Sequence, residues 1–228
     1  KMKNGCILNG GVGSGKSRTA LYYYFEKNGG SFIFHDYKPM TKIQDLYIIT
    51  TAQKRDRYEW DLEMADYRMS TNPELNTLYN NKIIIDSWNN IQKYTEIKDA
   101  FFIFDEDHVT GKGVWVNAFY KITKKNEWII LSATPGDGWM DYVPVFIANG
   151  FYRNRTEFKR QHCVFSRYTK WEQVERWLDV DRLVRLRDRI LVDMKFERHT
   201  IQHHETVLCK YNIQLCNEVK DTRWDPFE

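Results

Sequence analysis

The chain has 228 residues, of which 42% are hydrophobic, and a formal net charge of +3. That length suits one α/β domain with a full core plus a small appendage, and the composition excludes a disordered chain. The longest apolar stretch, Tyr142 to Phe151, is interrupted by Pro144 and Asn149 and falls short of the ~20 residues that cross a bilayer. Lys1-Met2-Lys3 leads straight into the first strand with no signal-peptide apolar region, so a cytoplasmic protein without a membrane partner is expected. The small net charge does not by itself identify a nucleic-acid partner. Two local runs are basic: Arg153, Arg155, Lys159 and Arg160, and then Arg182, Arg185, Arg187 and Arg189. Either can meet a phosphate backbone, and the second is equally well read as a solvated helix face balanced by Asp179, Asp181 and Asp188. Cys6, Cys163, Cys209 and Cys216 lack disulfide-framework or CxxC spacing, which disfavours both a disulfide scaffold and a zinc site with His162, His203 and His204.

In chain order, Gly5 to Asn9 reads as an apolar strand running into glycines, and Ser17 to Lys27 as a helix. Strands follow at Ser31 to His35 and Leu46 to Thr50, then one long polar helix from Ala52 to Tyr67. Lys82 to Ile85 is a strand and Trp88 to Lys93 a short helix. Ala100 to Phe104 is a strongly apolar strand, Val114 to Lys124 a helix and Trp128 to Leu131 a further buried strand. This alternation predicts an α/β fold, a three-layer sandwich with a mainly parallel central sheet. The rhythm weakens after Gly150. Residues 1–150 are therefore expected to form the main domain. Residues 151–228 form a small α/β C-terminal extension, with a helix at Asp181 to Ile190 and a β-like run at Glu205 to Tyr211.

Three motifs carry chemistry. Gly10-Gly11-Val12-Gly13-Ser14-Gly15-Lys16-Ser17 fits G-x-x-x-x-G-K-[ST] at every fixed position, between a strand and a helix. Glycines allow the backbone to wrap with its N–H groups inward, and the helix N-terminus favours anions. Lys16 is placed to reach the β- and γ-phosphates of a nucleoside triphosphate and the Ser17 hydroxyl to coordinate Mg²⁺, with Arg18 next in the chain. Second, Phe101-Phe102-Ile103-Phe104 delivers Asp105-Glu106-Asp107-His108 to the C-terminal end of a strand, where open α/β sheets bind ligands. Asp105 suits Mg²⁺ and Glu106 the orientation or deprotonation of a water; acids at a strand end also serve as helix caps. Third, Ser132-Ala133-Thr134-Pro135 ends another apolar strand; alone it is only a Thr-Pro turn.

The order of the three motifs resembles the first RecA-like lobe of superfamily 2 helicases and translocases. The closest likeness is to the DEAD/DEAH-box helicases of tailed phages. Ser132 to Asp137, Trp139 to Tyr142, Arg187 to Asp193 and Arg223 to Phe227 also look like those proteins, so the resemblance covers nearly the whole chain. It implies an ATP- and Mg²⁺-dependent motor lobe acting on DNA. It places Thr50, Thr51 and Lys54 at a backbone-contacting motif, with Ser87 at a second one. His108 and Ser132, Ala133 and Thr134 would couple hydrolysis to movement. The chain departs from that pattern in two ways. Nine residues precede Gly10, where the family carries a glutamine motif that reads adenine. A second RecA-like lobe, supplied in cis or in trans, is expected to complete the machine with its arginine finger. A packaging or terminase-like ring ATPase and a nucleotide-gated, non-catalytic binding module are the alternatives.

Overall fold

The computed structural model describes residues 1–33, 36–106, 109, 113–168, 171–194 and 214. It divides into two compact units, Lys1–Phe196 and Glu197–Glu228. The first holds a six-stranded, wholly parallel sheet. In chain order its strands are β1 (Ile7–Asn9), β4 (Leu46–Thr50), β5 (Ile83–Ser87), β6 (Phe101–Asp105), β7 (Glu127–Ser132) and β10 (Leu191–Asp193). Across the sheet the order is β10-β1-β7-β6-β4-β5.

Side-chain alternation along the central strands builds a core on each face. Leu46 and Ile48, Phe101 and Ile103, and Ile129 and Leu131 point to one side, under α1 (Lys16–Lys27) and α3 (Glu59–Ala65). Tyr47 and Ile49, Phe102 and Phe104, and Trp128 and Ile130 point to the other. There they meet a 3₁₀ helix (Trp88–Tyr94), α4 (Val114–Thr123), α5 (Trp139–Ala148) and α7 (Val180–Ile190). Every residue of β6 is buried, which makes the strand a rigid carrier for its terminal Asp105. The expected three-layer α/β sandwich is thus what the chain forms.

Some elements differ from expectation. The helix expected over residues 52–67 is two: α2 (Ala52–Asp56) and α3, separated by Tyr58 in the left-handed region at φ 56°. The break lets α3 seat Trp60 and Met64 in the core while α2 stays at the strand ends. The strand expected at Ser31 to His35 is β2 (Ser31–Ile33), paired antiparallel with β3 (Asp36–Lys38) in a hairpin of its own outside the central sheet. Residues 151–194, grouped by sequence with the C-terminal extension, pack with the first unit. They supply α6 (Arg155–His162), the antiparallel pair β8 (Cys163–Phe165) and β9 (Val174–Trp177), α7 and the sheet strand β10. The β-like run at Glu205 to Tyr211 lies outside the described residues. No described helix is long and apolar enough to cross a membrane.

Candidate functional site

Residues Gly10 to Gly15 join β1 to α1 and form a compact loop. Gly13 and Gly15 hold φ of 77° and 78°, conformations that disfavour any side chain, and Gly15 is the N-cap of α1. At Gly10 the constraint is space, since a Cβ there would stand 2.6 Å from Ser14 Oγ. The loop is anchored to the neighbouring strands: Gly10 N–H donates to Ser132 O (3.1 Å) and Met194 N–H to Asn9 O (2.8 Å). Asn9 Nδ2 also donates to Asp193 Oδ1 at 2.7 Å. The Lys16 ammonium folds over the loop and donates to Gly10 O (2.5 Å) and Gly11 O (2.9 Å). Burial lowers its pKa, while Asp105 and Glu106 pull in the opposite direction.

Asp105 ends β6, only 2% exposed. Because it shares sheet parity with Phe101 and Ile103, it faces the α1 side, and so does Thr50 at the end of the adjacent β4. Thr50 Oγ1 donates to Asp105 Oδ2 at 2.8 Å, and the Lys54 ammonium reaches the same oxygen at 2.9 Å. Lys54 also lies 2.9 Å from Glu106 Oε1. The chain turns sharply after β6, with Glu106 at φ 60°, so that consecutive carboxylates converge on one ammonium. Burial lowers the Lys54 pKa, but Asp105 and Glu106 more than reverse this, leaving it raised. Trp88 Nε1 donates to Asp105 O (2.9 Å) and fixes the strand end from the opposite face.

These groups share one cleft of ≈ 540 Å³, at the C-terminal ends of the strands. Val12 to Ser17, Lys54, Asp105, Glu106 and Ser132, Ala133 and Thr134 all line it. Ser132 Oγ accepts from Thr134 N–H at 3.2 Å, which pins the turn after β7. The donor set fits a hard divalent cation bound largely through phosphate: the Ser17 hydroxyl and one buried carboxylate face the same space. No cluster of three or more metal-binding side chains occurs among the described residues.

Other expected residues have different partners from those expected. Thr50, expected at a nucleic-acid backbone, is fully buried and spends its hydroxyl on Asp105. Lys54 turns to the acids. Ser87 is 4% exposed and stands at the N-cap position of the 3₁₀ helix, its N–H donated to Asp86 Oδ1 (2.7 Å). Thr51 caps α2 by accepting from Lys54 N–H (3.3 Å). Arg18 points away from the loop to Asp66, at 2.6 Å. His108 lies outside the described residues. His162, considered for zinc, is consumed by Tyr152 Oη (2.8 Å) and Leu178 O (2.9 Å). On α7, Arg182, Arg187 and Arg189 sit over the rings of Tyr152, Trp139 and Phe151 at 5.7, 5.7 and 5.3 Å.

The sequence reading missed Glu59 and Glu63, which line the cleft from α3, and Asp193 and Met194 of the β10 end, which brace the loop. The apolar run Ile190 to Val192 ended by Asp193 was the available signal for a sheet strand.

The Sulfolobus solfataricus SWI2/SNF2 ATPase core, a structure in complex with dsDNA, superposes with a TM-score of 0.56 and 14% identity. The match covers 84% of this chain and 40% of that one. This chain has the fold of a RecA-like ATPase core. The Pyrococcus furiosus Hef helicase domain is also similar, at a TM-score of 0.47 and 15% identity over 72% of this chain and 38% of that one. The chain thus spans about two fifths of the length of either structure. No protein-family model and no curated protein matches the sequence. On the RecA-like frame the loop and both carboxylates occupy the edge of the sheet at which such cores have their strand C-termini.

Proposed function

We propose that this chain is a motor lobe of superfamily 2 type, similar to those of phage DEAD/DEAH-box helicases. It binds ATP with Mg²⁺, contacts DNA, and hydrolyses ATP when a second RecA-like lobe completes the cleft. The observation that carries this reading is the convergence of Lys16, Ser17, Asp105, Glu106 and Ser132 to Thr134 on one cleft. DNA is proposed on the likeness to the archaeal ATPase core, which is a complex with dsDNA.

Each residue has a task in this reading. The loop N–H groups cradle the phosphates, and the Lys16 ammonium exchanges its carbonyl partners at Gly10 and Gly11 for β- and γ-phosphate oxygens. Ser17 and the Asp105 oxygen that neither Thr50 nor Lys54 uses would hold Mg²⁺, which neutralises charge on the β- and γ-phosphates when bound. Glu106, with 48% of its side chain exposed, orients and deprotonates the attacking water. Lys54 joins both acids to α2, so any shift of α2 on DNA alters the geometry of the carboxylates.

Steady-state hydrolysis with and without DNA tests the reading. The 228-residue chain alone is expected to turn over slowly, because an arginine supplied to the γ-phosphate is worth ~10³–10⁵ in rate. Addition of a second lobe should bring DNA-stimulated turnover. Robust DNA-stimulated hydrolysis by the chain alone would contradict the two-lobe requirement.

A further inference from the structure

A second, smaller hollow of ≈ 300 Å³ is lined by Arg18, Thr19, Tyr22, Phe32, Asp66 and Tyr67. None of them takes part in the phosphate or carboxylate chemistry described above. The hollow shares α1 and the α3 end with the triphosphate cleft. Glu63 lines that cleft and lies 4.0 Å from Arg18, whose other terminal nitrogen is 2.6 Å from Asp66. The Glu63–Arg18–Asp66 contact therefore links a residue that lines the cleft to two that line the hollow. Arg18 follows Ser17 directly, and Tyr22 stands about one helical turn beyond it, about 6 Å along α1.

The lining suits a flat heteroaromatic group. Tyr67 is 5% exposed and donates its hydroxyl to Arg18 O at 3.1 Å, which fixes its ring. Phe32 is 49% exposed and is steadied by an edge contact with Tyr37 at 6.0 Å. Tyr22 is half-buried. Small-ligand sites combine such apolar walls with a few fixed polar groups. Here those are the Asp66 carboxylate, an acceptor for the N–H edge of a base, and the Arg18 guanidinium. An anionic ligand is disfavoured, since Asp66 and Glu63 already counter Arg18. We infer that this hollow takes the purine base of the nucleotide whose triphosphate the Gly10–Ser17 loop holds. The inference rests on the proposed function.

Calorimetric titration with ATP, GTP, UTP and inorganic tripolyphosphate, each with Mg²⁺, tests it on the wild-type chain and on Tyr22→Ala and Phe32→Ala. The purine nucleotides should bind more tightly than UTP and tripolyphosphate. Each variant should weaken purine nucleotide binding about tenfold, as loss of an aromatic stacking partner does, and leave tripolyphosphate unchanged. Phe32 is exposed enough that its removal should not alter the thermal melt, which separates lost stacking from lost folding. If tripolyphosphate binds as tightly as ATP, or both variants weaken the two equally, the base site is wrong and the loop reading survives. If neither ATP nor tripolyphosphate binds, the loop reading fails and takes the base site with it.

Discussion

Lys54 Nζ stands 2.9 Å from Asp105 Oδ2, so the most buried acid of the cleft is neutralised by a residue of α2. The same ammonium reaches Glu106. A buried carboxylate that loses its cation is costly, ~3–5 kcal/mol when both groups are deeply buried. With the Lys54 side chain 29% exposed, Lys54→Ala should cost less, about 2 kcal/mol, read as a fall in the denaturation midpoint. Mg²⁺ should then raise the melting temperature of the variant more than that of the wild type, because the Asp105 carboxylate it binds no longer carries a second cation on its other oxygen. Equal Mg²⁺ shifts would show that Lys54 and the cation do not share the acids.

Glu106→Gln keeps the size of the side chain and removes its basicity. The variant should bind ATP-Mg²⁺ within a few-fold of wild type and lose most of its turnover in the presence of a second lobe, a loss of about 10²–10⁴ for a general base. Single-turnover hydrolysis alongside equilibrium binding measures both. Unchanged turnover in the variant would show that Glu106 is not the general base.

The acid Asp86 at the end of β5 predicts an acid-sensitive fold. Burial raises its pKa, but donors from Tyr94 (2.6 Å), Asn90 (2.8 Å), Ser87 N–H (2.7 Å) and Arg55 (3.2 Å) lower it overall. A carboxylate lowered in the folded state contributes stability above its unfolded pKa, about 4, and loses that contribution as pH falls through the folded value. The chain should therefore lose stability progressively below about pH 4. Tyr94→Phe should cost ~1.5–3 kcal/mol at neutral pH, and progressively less as the pH falls towards and through the lowered folded pKa of Asp86. Urea midpoints at pH 7 and pH 3.5 test this; a Tyr94→Phe cost that does not change with pH would contradict it.

The loop glycines separate strain from contact. An added Cβ at Gly15 meets nothing within 4 Å, so Gly15→Ala should cost only the ~1–2 kcal/mol of a left-handed alanine. Gly10→Ala drives a Cβ to 2.6 Å from Ser14 Oγ, so the Ser14 side chain, which lines the cleft, must move. Nucleotide affinity should consequently fall further in Gly10→Ala than its melting temperature alone implies. Parallel losses of affinity and stability in the two variants would argue against this.

Much of the site is local in sequence and therefore legible there. Glycine spacing marks the loop, and the apolar run Phe101 to Phe104 marks a buried strand that must end in Asp105. The contacts that organise the site are not local. Thr50 and Asp105 meet because β4 lies beside β6, a strand order that periodicity does not encode. Without it, Thr50 and Lys54 are placed only by the family resemblance, at a nucleic-acid backbone. The break at Tyr58 carries no glycine or proline, so a single helix through it was the natural expectation. It is the burial of Trp60 and Met64 that overrides local propensity. Strand β10 was obscured by its distance from the motifs, although it flanks β1 and braces the loop.

Calorimetric titration of ATP-Mg²⁺ into the chain and into Lys16→Ala and Asp105→Asn most directly tests whether the Gly10–Ser17 cleft is a triphosphate site. Saturable one-to-one binding by the wild type, lost in Lys16→Ala and dependent on Mg²⁺ only while Asp105 is intact, is the expected result. Binding of equal strength in all three proteins would contradict it.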